Sequence, residues 1–268
     1  MKISQRAQYY GEQNRNLDLG GIILSEYAYH APDTPWHYHE NPYFMYVMEG
    51  NMTDINHGGC SLMPSSTLIF HNWQEPHKNE KKSKIAGGFH LELERSWFDN
   101  QKLDINLWEG SQIIKDPNLH FILSQIYLEF KRQDQYSELT IELLLLQLCE
   151  RINTSQIKNP KEAPAWIDQL KDLLNEDNEY LTLTYLSDQL GIHPVHLSRS
   201  IPKYLGFNLG EYLRKQKLNR AFAHLKNPKL SLTEIAHMCG FADQSHFTRM
   251  YKSYLGLTPK LARAAILS

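Results

Sequence analysis

At 268 residues the chain is nearly twice a ~150-residue domain, which predicts two domains with separate cores and excludes a disulfide-stapled scaffold. With 41% hydrophobic and 22% charged residues the composition is that of an ordinary folded protein, and no apolar run approaches the ~20 residues of a membrane span. The formal charge of −2 hides a division: residues 181–268 hold 12 Lys and Arg against 4 Asp and Glu, whereas residues 1–180 hold 16 against 26.

A basic C-terminal third fastened to an acidic remainder points to a polyanionic partner, with nucleic acid first. The opening Met1-Lys2-Ile3-Ser4-Gln5-Arg6 has no apolar stretch of signal-peptide type, so a cytoplasmic protein with no membrane partner is expected. Cys60, Cys149 and Cys239 are scattered without CxxC spacing. They read as small buried residues rather than a disulfide framework or zinc finger.

In chain order, the segments Gly21–Leu24, Tyr43–Met48, Thr67–Phe70 and Phe89–Leu93 are short, β-branched or aromatic, and bounded by Pro, Gly, Asn and Ser. They predict strands of a sandwich or barrel. Helices are predicted over Asn118–Gln133 and Glu138–Asn153. In the second, Leu143, Leu144, Leu145, Leu146, Leu148 and Cys149 cover nearly the whole circumference, which implies either a dimer interface or complete burial within one chain. The polar stretch Thr154–Pro164, with two prolines, reads as a linker. The expected organisation is a sensing barrel over 1–95, a helical extension that dimerises over 96–153, a linker over 154–164, and a helical domain over 165–268.

That last domain contains a repeat. Leu181-Thr182-Leu183-Thr184-Tyr185-Leu186 aligns with Leu230-Ser231-Leu232-Thr233-Glu234-Ile235, Gly191-Ile192 with Gly240-Phe241, Leu197-Ser198-Arg199 with Phe247-Thr248-Arg249, and Tyr204-Leu205-Gly206 with Tyr254-Leu255-Gly256. Each copy offers a Thr N-cap, a short helix, a turn whose Gly tolerates positive φ, and a second helix ending at a Gly. This is helix-turn-helix grammar written twice. Leu197, Ile201 and Tyr204, and likewise Phe247, Met250, Tyr251 and Tyr254, form the core face of each second helix. The opposite face presents Val195, His196, Ser198 and Arg199 in one copy and Gln244, Ser245, Thr248 and Arg249 in the other. Arg can fork onto guanine, Gln onto adenine, and Val can meet a thymine methyl. Between the copies a helix over Asn208–Leu225 spaces the two reading heads for successive major grooves. Its Arg214, Lys215, Lys217 and Arg220, with Lys252 beyond it, are candidates for phosphate contact, Arg214, Lys217 and Lys252 foremost.

The run Gly240-Phe241-Ala242-Asp243-Gln244-Ser245-His246-Phe247-Thr248-Arg249, continuing through Met250-Tyr251-Lys252 to Gly256-Leu257-Thr258-Pro259, closely resembles the signature of AraC/XylS bacterial transcription regulators. The resemblance covers about the last 100 residues and implies seven helices, two helix-turn-helix units and base contact at Val195, Ser198, Arg199, Gln244, Ser245, Thr248 and Arg249. Two departures stand out. Ile201-Pro202 replaces a Phe-Lys pair, so the first recognition helix should stop near Ile201 or kink. Lys217 takes a position where Arg is common, keeping charge but losing the planar fork.

Upstream, Pro35-Trp36-His37-Tyr38-His39 followed by Pro76-His77 resembles the two motifs of a cupin jelly-roll, a sensor domain of many AraC-type regulators. The resemblance puts a metal-binding Glu at the position of Tyr43, and Pro64-Ser65-Ser66 departs from the second motif. Three readings of His37, His39 and His77 stay open. They hold a divalent metal (Zn, Ni, Cu or Fe), with His37 and His39 on one strand face and His77 meeting them across the barrel. They hydrogen-bond an organic effector, a sugar for example, stacked on Trp36, Tyr43, Tyr46 and Trp73. Or they are structural, bonded to backbone carbonyls. No cofactor is firmly implied.

The reading is a multidomain protein: an all-β cupin-like jelly-roll barrel with appended helices and an all-α domain with two helix-turn-helix units. It acts as a homodimeric regulator that binds double-stranded DNA in response to a small-molecule effector, with RNA polymerase a candidate partner. It is not expected to be an enzyme. The competitors are a cupin metalloenzyme fused to a DNA reader and a constitutive DNA-binding protein with a vestigial barrel.

Overall fold

A computed structural model describes residues 2–104, 109–157, 164–175, 181–205 and 207–268. Its strands are β1 (Lys2–Ser4), β2 (Glu12–Asp18), β3 (Ile22–Ala28), β4 (His37–His39), β5 (Tyr43–Glu49), β6 (Met52–Asn56), β7 (Gly59–Met63), β8 (Leu68–His71), β9 (His77–Lys81) and β10 (Gly87–Leu93). Helix α1 (Arg95–Gln101) and strand β11 (Ser111–Ile114) follow. The remaining helices are α2 (Pro117–Arg132), α3 (Ser137–Ile157), α4 (Trp166–Asn175), α5 (Leu183–Leu190), α6 (Pro194–Leu205), α7 (Leu209–Leu225), α8 (Leu232–Met238), α9 (Gln244–Leu255) and α10 (Pro259–Leu267).

The strands form two sheets, ordered β1-β4-β9-β6-β7 and β11-β8-β5-β10-β3-β2. Tyr27, Met45, Val47 and Ile69 from the larger sheet share one core with Met52 and Met63 from the smaller. The sheets therefore face each other as the expected double-sheet jelly-roll. Period-two alternation decides which residues enter that core: on β5, Tyr43, Met45 and Val47 point inward, which turns Phe44 and Tyr46 to the outer face. Gly50 closes the β5–β6 turn at φ +77°, where a Cβ would collide with the Ile85 carbonyl. Only glycine fits.

Contacts divide the chain into two compact units, Met1–Ile114 with Arg132–Ile141, and Lys115–Lys131 with Glu142–Ser268. The boundaries differ from the expected ones for a local reason. Strand β11 pairs antiparallel with β8 and so extends the sandwich to Ile114. Helix α2 instead packs on the C-terminal helices: Lys215 donates to Asn118 Oδ1 (2.8 Å), Asn219 to the Pro117 carbonyl (2.8 Å), and the Tyr127 ring meets Phe222 edge-on at 5.8 Å. Residues 154–157, expected in the linker, continue α3, while residues 158–163 lie outside the described residues.

On α3 the apolar circumference is split. Ile141, Leu144, Leu145, Leu148, Cys149 and Ile152 are buried, while Leu139, Leu143 and Leu146 are exposed. Cys149 and Cys239 are buried as expected, but Cys60, on the small sheet's edge strand β7, is exposed. Among the described residues no helix is long and apolar enough to cross a membrane.

Seven helices, α4 to α10, make the C-terminal part among the described residues. Thr182 caps α5 by accepting from the Tyr185 N–H. In the second copy the cap is Ser231, not a Thr, and it forms a capping box with Glu234. Gly191 and Gly240 take φ of 64° and 71° in the two turns, and Gly256 ends α9 at 76°. Gly206 lies outside the described residues. Leu186, Leu197, Ile201 and Tyr212 belong to the core of the first helix-turn-helix. Helix α6 does not stop at Ile201; it continues through Pro202 to Leu205. The proline stands in the last turn, so it removes only the bond to the carbonyl four residues back, that of solvent-exposed Ser198.

Candidate functional site

The two recognition helices carry the same division of faces. Leu197 and Ile201 on α6, and Phe247 and Tyr251 on α9, are fully buried. Val195, His196, Ser198 and Arg199 are exposed on α6, as are Gln244, Ser245 and Arg249 on α9, with Thr248 half-buried. Asp243 caps α9 by accepting from the His246 N–H, which fixes where its reading face begins. Gln244 is already engaged: its Oε1 accepts from Thr233 Oγ1 at 2.6 Å, leaving its NH₂ as the outward group. Its Oε1 keeps a second lone pair, so the bond to Thr233 orients the amide without using up its acceptor.

Helix α7 packs against α6, α8 and α10. Its 17 residues span about 25 Å. Not all of its cations face solvent. Lys215 is committed to Glu211 and Asn118, and Lys217 Nζ donates to the Gly240 carbonyl at 2.7 Å, bracing the second turn. Arg214 is exposed with its Nε donating to the Tyr254 hydroxyl (2.9 Å), and Lys252 is exposed on α9.

In the sandwich, His37 and His39 point the same way from β4, as expected, and both are buried. His77 does not approach from across the barrel: it is on the adjacent strand β9, in direct register with His37, the rings 4.4 Å apart. The Nδ1–H groups of His37 and His77 donate to the carbonyls of Pro35 (2.9 Å) and Glu75 (3.0 Å). That leaves each Nε2 as a lone pair, which in His77 accepts from the Tyr43 hydroxyl at 3.0 Å. Among the described residues neither nitrogen of His39 has a hydrogen-bond partner.

Four buried polar groups missed in the sequence join them. His90 and Glu92 enter from β10 in register with Met45 and Tyr43, and His71 stands opposite Tyr43 on β8. Asp54, on β6, is fully buried as well. Alternation within Phe89-His90-Leu91-Glu92-Leu93 was the signal for two of them, since it places both polar residues on one face.

Burial keeps the imidazoles neutral: it lowers the pKa of His37, His39 and His77, and pushes His71 and His90 down to about 3. The carboxyls of Asp54 and Glu92 are shifted up, again chiefly by burial. Glu92 is nevertheless well solvated by the protein, accepting from the Ala7 N–H, the Tyr9 hydroxyl and the Asn41 amide at 2.8–3.0 Å.

Tyr9, Tyr29, His37, His39, Tyr43 and His90 line a cavity of about 30 Å³. One water needs ~10–15 Å³ on this measure, so the space holds about two waters. Of the aromatic residues expected around an effector, only Tyr43 lines this cavity. Trp36 is 40% exposed and stacks on His57, Tyr46 is turned to the outer face by strand parity, and Trp73 lies in the β8–β9 loop. Among the described residues two triads could hold a metal: His37, His39 and His77, and Asp54, His71 and His77.

Paired helix-turn-helix units on a basic helical domain define a DNA-binding transcription regulator. Residues 186–265 match the family model described as a helix-turn-helix domain. The chain is similar to the HTH-type transcriptional regulator YijO of Escherichia coli, 26% identical with 92% of this chain and 89% of that protein covered. It is also similar to the probable transcription factor PqrA of Proteus vulgaris, 35% identical over 31% of this chain and 67% of that protein. The HTH-type transcriptional activator RhaR of Mannheimia succiniciproducens is 22% identical, with 91% of this chain and 92% of that protein covered. The chain belongs to the AraC/XylS family of transcription regulators.

Proposed function

We propose that the chain reads DNA with Arg199 and Arg249 at the centres of its two recognition faces, under control of a ligand taken up by the cupin-like sandwich. The observation that carries this reading is the repeated arginine. Each follows a buried core residue by two positions on an exposed helix face, Leu197 in α6 and Phe247 in α9. Val195, His196, Ser198, Gln244, Ser245 and Thr248 flank the two arginines, and Arg214 and Lys252 suit phosphate contact. A homodimer through the exposed Leu139, Leu143 and Leu146 of α3 fits the same scheme, because that stripe adds apolar area beyond what the helix buries within its own chain. RNA polymerase is the partner such a regulator would engage once on DNA.

The sandwich is proposed as a sensor without catalysis, its tenant small. Unless Tyr9 or a neighbour moves, the cavity admits a few heavy atoms rather than a sugar. A divalent ion on His37, His39 and His77 is the second reading, favoured by the carbonyls that hold two of the three rings as Nε2 lone pairs. The test starts from a DNA site selected in vitro with the full chain. Arg199→Ala and Arg249→Ala should each weaken that site by ~1–3 kcal/mol while leaving random DNA nearly unaffected. Equal losses on both DNAs would remove the arginines from base recognition.

A further inference from the structure

Asp54, His71 and His77 come from β6, β8 and β9, so this cluster draws on both sheets. All three are buried, and one donor atom from each lies within 4.8 Å of the others. His71 Nδ1 is engaged by Ser111 Oγ at 2.7 Å, while its Nε2 has no hydrogen bond among the described residues and stands 3.7 Å from Asp54 Oδ1. That gap is too long for a hydrogen bond in either tautomer. It is close to the ~3.4 Å edge of a tetrahedron whose ligands lie ~2.0–2.1 Å from a metal.

The other two groups are held as ligands are held. The Glu75 carbonyl fixes His77 with Nε2 as the lone pair, to which the Tyr43 hydroxyl donates. The carboxylate of Asp54 is oriented at both oxygens, Oδ2 by the Asn56 amide (2.8 Å) and Oδ1 by the Asn79 amide (3.0 Å). One carboxylate flanked by two imidazoles, out of water, is a donor set that suits a divalent cation.

We propose that Asp54, His71 and His77 bind a divalent first-row transition-metal ion through two imidazoles and one carboxylate. The set supplies the anionic ligand that Tyr43 fails to provide beside His37 and His39. Sharing of His77 means the two triads cannot both be complete. Tyr43 gives up its bond to His77 Nε2 when the ion enters, so Tyr43→Phe should retain the ion or hold it more tightly. The site rests on the sandwich alone and is independent of how the helices read DNA.

The experiment uses the full chain, stripped with EDTA, exposed to Zn²⁺ and freed of excess by gel filtration before elemental analysis. One zinc per chain is expected for the wild type, His37→Gln and His39→Gln, and at least tenfold weaker retention for Asp54→Asn and His71→Gln. No zinc on the wild type overturns the proposal. So does zinc kept by Asp54→Asn and His71→Gln but lost by His39→Gln. Should Asp54→Asn fail to fold by circular dichroism, an anomalous difference map from wild-type crystals grown with Zn²⁺ decides. A peak between Asp54, His71 and His77 supports the site; a peak at His37 and His39, or none, overturns it.

Discussion

Acid should unfold the sandwich through its buried histidines, and His90 isolates the effect. Its side chain is 1% exposed, its Nε2 is paired with the Tyr29 hydroxyl at 3.0 Å, and burial alone lowers its pKa, to about 3. In the unfolded chain the same group titrates near 6.5. Because the folded value is depressed, the unfolded state binds the extra proton between ~6.5 and ~3, and stability rises with pH across that window. His90 thus contributes fully above about pH 6.5 and progressively less below it. At pH 5 the unfolded imidazole is almost fully protonated and the folded one almost not at all, which is worth about 2 kcal/mol relative to pH 7 and above. Asp54 and Glu92, raised by burial, act in the opposite sense, so the wild-type loss alone does not measure His90. The difference between proteins does. In His90→Gln, whose amide can still accept from Tyr29, the loss on going from pH 7 to pH 5 should be smaller by roughly 2 kcal/mol, about 1 M in urea midpoint at a typical slope. The assay is urea unfolding of EDTA-treated full chain at both pH values, followed by near-ultraviolet circular dichroism. Identical losses in the two proteins would refute the reasoning.

Gly50→Ala should cost at least about 2 kcal/mol, because φ of +77° and the Ile85 carbonyl both exclude a Cβ; an unchanged melting temperature would contradict it. Lys217→Ala removes the bond to the Gly240 carbonyl and should destabilise the second helix-turn-helix by about 1 kcal/mol, read by thermal unfolding of that unit. Lys252→Ala should flatten the salt dependence of DNA binding by about one counterion, and an unaltered slope would take it out of the phosphate contacts. Leu143→Lys should shift the chain to monomer in sedimentation at micromolar concentration, and a persisting dimer would place the interface elsewhere.

What could be read from the sequence followed from how local each signal is. Both helix-turn-helix units were visible because caps, turn glycines and a buried stripe lie within about fifty residues and repeat. Pro202 reads as a break by the rule for helix interiors, yet it stands in a final turn, where one bond is lost next to solvent. In the sandwich the limit was pairing. Strands were recognisable one at a time, yet the chemistry depends on register: His77 beside His37, His71 and Glu92 on either side of Tyr43, and Asp54 beside Asn79. None of those neighbours is adjacent in sequence. Tyr46 is a different case, settled by parity along its own strand. A count of two from Tyr43 reaches Met45 and then Val47, so Tyr46 was already on the wrong side of the strand before any partner was known. The cluster of neutral imidazoles is thus a consequence of sheet topology. Its ligand chemistry should be altered less by changing any single histidine's neighbours in sequence than by shifting one strand by one residue.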